Sequence, residues 1–128
     1  MGTRKYKLTD ETITIVRNGK EITLHRIEAL RDLAIAKTGD KGGYVESEAN
    51  LSHEGDCWIY GDAEVYGNAE VSGDAEVSGD AEVYGHAEVF GYAKVGENAR
   101  VYGNAEIYGN AEVSGSSKVC GDTMLGVQ

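Results

Sequence analysis

From Ile59 onward, apolar and polar positions recur with a strict period of six. One column reads Ile59, Val65, Val71, Val77, Val83, Val89, Val95, Val101, Ile107, Val113, Val119 and Leu125. A second holds alanine from Ala63 to Ala111, and a third holds glycine at most positions from Gly61 to Gly121. Asp62, Asn68, Asp74, Asp80, Asn98, Asn104 and Asn110 each precede an alanine. A helix cannot use this pattern, because six is not a multiple of the helical period and each repeat carries β-branched, Gly and Asx residues that oppose helix. Alternation over Ala-x-Val instead turns Ala and Val to one face and the middle residue to the other. Gly-Asx then turns the chain. Each hexad is therefore one short strand and one corner, and three hexads close a triangular coil of eighteen residues. Stacked at ~4.8 Å, twelve hexads make about four coils with the Val column inside.

The period is absent before Ile59. Thr12 to Val16 and Glu21 to Ile27 alternate on either side of Asn18-Gly19, the strongest two-residue hairpin signal. Ala29 to Ala36 reads as a short helix or an irregular strand, and Thr38 to Gly43 as a loop. Tyr44 to Glu48 and Leu51 look like an imperfect first coil leading into Trp58. The chain thus divides into a β-rich capping segment, 1–54, and a repeat domain, 55–128. The segment is expected to cover the open N-terminal end of the coils, with Trp58 as its hydrophobic contact.

The spacing of Val65 with Ala69, Val71 with Ala75, and so on to Ile107 with Ala111, resembles the hexapeptide-repeat family. That resemblance covers roughly residues 55–125 and implies an all-β fold, a left-handed parallel β-helix. It also implies a trimer with parallel axes, although a dimer stays open. The hairpin, the Lys37 to Glu48 stretch and the Asn50 to Trp58 stretch extend the likeness over nearly the whole chain, to uncharacterised small proteins of bacteriophages and prophages. One fold hosts many functions, so function must come from the faces.

Residues eighteen apart share a face. Face one carries Tyr66, Tyr84, Tyr102 and Cys120 beside Glu64, Glu82, Arg100 and Lys118. Face two carries Ser72, Phe90 and Tyr108 beside Glu70, Glu88 and Glu106. Face three carries Tyr60, Ser78, Gly96 and Ser114 beside Trp58, Glu76, Lys94 and Glu112. The tyrosine ladder either packs on a neighbouring chain, where Tyr is favoured, or stacks along itself. The in-register glutamates repel; they are either solvated or await a cationic partner. The last coil, reaching Leu125, presents a sheet edge open to pairing.

Net charge is −10, and all of the excess lies in the repeat. Residues 1–54 hold nine basic and nine acidic side chains, whereas residues 55–128 hold thirteen acidic ones against Lys94, Arg100 and Lys118. Direct nucleic-acid binding by the repeat is excluded on that balance. No apolar run approaches a membrane span, and no secretory leader precedes Tyr6. Cys57 and Cys120 therefore read as reduced thiols of a cytoplasmic protein.

Catalytic chemistry finds little support. Hexapeptide acyltransferases place a histidine at a subunit cleft beside an inserted loop, but His86 occupies a corner and no loop interrupts residues 55–121. The fold-sharing γ-class carbonic anhydrases use three zinc-binding histidines, and His25, His53 and His86 lack that spacing. No cofactor, metal or catalytic residue is assigned. The sequence points to a non-catalytic, self-associating binding protein of phage or prophage type. Its expected partners are a nucleotide-like ligand or a host protein, engaged through Tyr66, Tyr84, Tyr102, Phe90, Tyr108, Lys94 and Arg100. Antagonism of a host defence factor fits, by sequestering that ligand or by acidic mimicry of nucleic acid. The alternative is an acyltransferase acting on a small amine or hydroxyl.

Overall fold

A computed structural model describes residues 4–127. Met1, Gly2 and Thr3 lie outside the described residues, as does Gln128. Strands β1 (Tyr6–Arg17) and β2 (Lys20–Ala29) form the antiparallel hairpin. Asn18 and Gly19 turn it at φ 52° and 77°, the left-handed pair whose twist matches that of the flanking strands. The segment after β2 forms neither helix nor strand. It turns on Asp32, whose carboxylate accepts from the Thr38 N–H and hydroxyl at 2.9 and 3.1 Å. Those bonds hold its carboxyl below the usual carboxylate range.

Strand β3 (Lys41–Val45) joins the two halves of the molecule. It pairs antiparallel with β2 on one side and parallel with Glu64–Val65 on the other. The loop expected up to Gly43 therefore ends inside a strand, and its glycines have a packing role. A Cβ on Gly43 would stand 2.6 Å from the Ala63 carbonyl oxygen, and one on Gly42 would land on that of Ile59. Close backbone approach accounts for both glycines.

Beyond β3 the chain is a three-sided parallel β-helix of about five turns, the imperfect first coil included. Face one runs from the hairpin through β3 to Glu64–Val65, Glu82–Val83, Arg100–Val101 and Lys118–Val119. Face two runs from a bridge at Leu51 through Glu70–Val71 and Glu88–Val89 to Met124–Val127. Face three runs from Trp58–Ile59 to Glu112–Val113. Register pairs residues eighteen apart, as Val83 with Val101 and Val77 with Val95. The Val and Ala columns are fully buried from Ala63 through Ile107, apart from 1% exposure at Val95. Corners close through the next coil: the N–H after the corner glycine donates to a backbone carbonyl one coil on, at 2.8 Å for Asn68 to Gly85, His86 to Gly103 and Asp80 to Glu97. Glu97 interrupts the glycine column and adopts φ 55°, a conformation that strains any residue carrying a Cβ.

The first coil is closed by side chains instead of by repeats. Asn50 lies one coil below Asn68 and is fully buried. Its oxygen accepts from the Glu46 and Ser47 N–H groups at 3.1 and 3.0 Å, and its amide donates to the Ala69 and Gly67 carbonyls at 2.9 and 3.2 Å. Tyr6 stacks on His53 at 4.2 Å, meets Trp58 edge-on at 6.4 Å and donates to the Leu51 carbonyl at 2.6 Å. Trp58 stands at an outward position of face three, yet it is only 1% exposed. The N-terminal segment thus covers the first coil through Lys5 and Tyr6, while the rest of the hairpin extends face one.

Three substitutions check this account by urea unfolding. Asn50→Ala is expected to lose about 2–3 kcal/mol, since buried backbone groups lose their partners. Gly43→Ala is expected to lose about 1–3 kcal/mol from overpacking. Glu97→Gly is expected to gain about 0.5–1 kcal/mol by removing the left-handed strain.

Candidate binding surface on face one

The tyrosine ladder exists as a stack. Tyr66 and Tyr84 lie 5.1 Å apart and 1° from parallel, and Tyr84 and Tyr102 lie 5.0 Å apart and 5° from parallel. Register forces this, because each ring projects from the same position of successive coils. The hairpin then folds over one end of the stack. Ile13, Ile15, Ile22 and Leu24 pack against Tyr44, Tyr66 and Tyr84 on the outside of the sheet. Tyr66 is left 2% exposed, so it is not open to a neighbouring chain. Its contacts belong to the hairpin of its own chain.

Arg17, the last residue of β1, fastens the hairpin down. It donates to the Tyr66 hydroxyl at 3.1 Å and to Glu82 Oε1 at 3.0 Å. The Tyr66 hydroxyl donates to the same carboxylate oxygen at 3.1 Å. Burial and the Glu82 charge push the Tyr66 phenol well above its ordinary pKa. Arg17 and Glu82 escaped sequence reasoning as a pair, because they are 65 residues apart. The only available signal was a basic residue beside the hairpin turn and an acidic one on the face with the ladder.

The other end of the stack is open. Tyr84 and Tyr102 are half-buried, and Arg100, Lys118 and Cys120 beside them are exposed. Arg100 and Lys118 are register partners one coil apart. Arg100 Nε lies 3.8 Å from Glu82 Oε2 with half of its side chain exposed, and among the described residues Lys118 forms no ion pair. The Cys120 thiol raises the pKa of the Tyr102 phenol. Two of the three cations of the repeat thus flank an accessible aromatic edge.

The remaining candidate residues lie elsewhere. Phe90 and Tyr108 stack at 5.4 Å on face two, with the Tyr108 ring lying over Gly126. The glutamates Glu70, Glu88 and Glu106 run beside them in register. Lys94 stands on face three between Glu76 and Glu112, in a shallow cleft of about 220 Å³ that also takes in Tyr60, Ser78 and Ser114. Of the expected set, Tyr84, Tyr102 and Arg100 therefore share the open end of face one, Phe90 and Tyr108 share face two, and Lys94 stands apart on face three.

The histidines do not form a reactive group. His86 is exposed at its corner. His25 Nδ1 lies 3.2 Å from the Thr9 carbonyl. His53 accepts the Lys5 N–H at Nδ1 and meets Glu48 through Nε2 at 2.7 Å, so both ring nitrogens are engaged. No group of three or more His, Cys, Asp or Glu side chains is placed to hold a metal ion among the described residues. No helix among them is long and apolar enough to cross a membrane.

No family model matches the chain. It is 36% identical over 61 residues to an uncharacterised acetyltransferase, YdcK, of Escherichia coli strain K12. The match covers 44% of this chain and 19% of that relative. The chain therefore spans about a fifth of the relative's length.

Glu64 carries the electrostatic strain of this face. One of its oxygens is buried without a hydrogen bond. Burial, then the neighbouring Glu82 charge, raises its pKa. Between the unfolded and folded pKa the native state holds more protons, so its contribution to stability falls as pH rises through the folded value. Glu64→Gln is expected to stabilise the protein at neutral pH, by less than ~1 kcal/mol because solvent screens this half-exposed site. The gain should shrink on acidification toward the ordinary carboxylate range, as followed by urea unfolding across pH.

Proposed function

We propose that this chain, whose repeat and fold are those of the hexapeptide-repeat β-helix superfamily, is a non-catalytic binding protein. One observation carries the reading: on an otherwise acidic rod, Arg100 and Lys118 stand together at the open end of a stacked tyrosine ladder. An exposed π-face beside two cations suits a ligand that is both planar and anionic, such as a nucleotide. The hairpin and the Arg17–Glu82 contact hold the platform rigid, which lowers the entropic cost of binding. The glutamate ladder of face two supports a second contact, with a basic protein surface. The full-length resemblance to phage and prophage proteins suggests antagonism of a host factor as the setting, with the protein acting as a homo-oligomer.

The similarity to YdcK favours a second reading, acyl transfer to a small amine or hydroxyl. It would rest on His86, which has no partner of its own among the described residues to orient it as a general base.

Adenosine monophosphate is a suitable first probe, titrated into the protein while tyrosine fluorescence is followed. Saturable binding is expected, weakened about tenfold or more in Tyr102→Ala and Lys118→Ala and unchanged in Lys94→Ala. Equal affinity in all three variants would remove face one from the site. Light scattering should give a mass above one chain. Acyl transfer from acetyl-CoA that disappears in His86→Ala would replace the binding reading with the enzymatic one.

A further inference from the structure

One buried pair of reactive groups lies at the first coil, at the other end of the stack from Arg100 and Lys118, and takes no part in the proposed binding. Lys5 and Cys57 are both fully buried. Lys5 Nζ donates to the Cys57 carbonyl at 2.7 Å and lies 3.0 Å from Cys57 Sγ. Among the described residues no carboxylate pairs with the lysine amine, and its two polar contacts both belong to Cys57. Around the sulfur stand only backbone carbonyls, those of Ser52, Glu54 and Val71, at 3.6–3.7 Å.

An amine and a thiol are thus held at hydrogen-bond distance. Cys120 and Cys57 are three and a half coils apart, about 17 Å along the axis at the ordinary inter-strand spacing. A disulfide between them is out of reach. An oxidised Cys57 has one partner, the lysine amine already aimed at it.

We infer that Lys5 and Cys57 form an oxidative crosslink, in which a single oxygen atom bridges Nζ and Sγ. The oxidant is dioxygen. One N–H bond, the S–H bond and the O–O bond break; an N–O and an S–O bond form; the second oxygen leaves as water with the two released hydrogens. Nitrogen and sulfur each give up two electrons, and dioxygen accepts four. A single bridging oxygen holds nitrogen and sulfur closer than their hydrogen-bond contact does, so the pair needs to draw in only slightly, and the Cys57 carbonyl holds the amine in place while it does. The product ties the start of β1 to the first coil across 52 residues of chain, at the point where Tyr6 closes that coil. It is a modification that senses oxygen and answers with stability, and dithiol reduction reverses it.

The test uses the unmodified full-length protein, split between air and an excess of dithiothreitol, then digested and analysed by mass spectrometry. In air, the peptides carrying Lys5 and Cys57 are expected as one species. Its mass should equal their sum plus one oxygen and minus two hydrogens, and dithiothreitol should separate them. The same species should persist in Cys120→Ser. The midpoint of thermal unfolding should rise by several degrees in air and fall back on reduction, because closing a long loop constrains the unfolded chain. Lys5→Arg and Cys57→Ser should show no such shift. Separate peptides with a free Cys57 thiol after prolonged oxygenation would overturn the inference. So would a joined species lacking the extra oxygen, which is a direct N–S bond, or Cys57 oxidised to a sulfinic acid beside an unmodified Lys5.

Discussion

Each coil of this protein satisfies its backbone through the coils above and below it. Within a hexad there is room for one short strand and a corner, so local hydrogen bonds are confined to the corner turn, as from the Ala81 N–H to the Ser78 carbonyl at 3.2 Å. The other corner N–H groups reach the next coil, as Asn68 reaches Gly85, and each Val lies on the Val eighteen residues away. A lone coil would leave these groups unmatched in a low-dielectric interior. The structure therefore depends on stacking, and wherever the repeat is imperfect some other device must supply the missing partners. Asn50, with four hydrogen bonds and no exposed surface, is the clearest such device.

That dependence decided what could be read from the sequence. Columns of Val65 and Ala69 type, the Asn18-Gly19 turn and the assignment of Tyr66, Tyr84 and Tyr102 to one face all follow from local alternation and a fixed period. They are visible because each repeat states the same thing again. The overlay of the hairpin on Tyr66 was not visible, because it comes from non-repeating residues meeting across long sequence separations. Arg17 and Glu82 lie 65 residues apart, and Lys5 and Cys57 lie 52 apart. Periodicity says nothing about such pairs. Gly42 and Gly43 were expected in a loop and lie in β3: glycine-rich composition looks alike whether it marks a turn or the close approach of a neighbouring backbone.

The same contrast separates the two ends of face one. At the hairpin end, apolar side chains and the Arg17–Glu82–Tyr66 network bury the ladder, and burial beside Glu82 raises the pKa of Glu64. At the other end the ladder emerges beside Arg100 and Lys118, with no covering element among the described residues. A single stack of rings thus serves as core at one end and as surface at the other. Hydrophobic packing fixes the buried rings, and that fixes the attitude of the exposed ones.

The eighteen-residue period also sets how such a chain can change over evolutionary time. Duplicating three hexads lengthens the rod and leaves every face as it was. Duplicating one hexad keeps the core column intact, but it turns everything beyond the insertion by a third of a revolution. Inserted between the hairpin and Arg100, a single hexad would carry Arg100, Tyr102 and Lys118 off the face that the hairpin covers and onto its neighbour. Recombination in units of six therefore acts as an indexing wheel, reassigning side chains to faces without disturbing the interior that holds them.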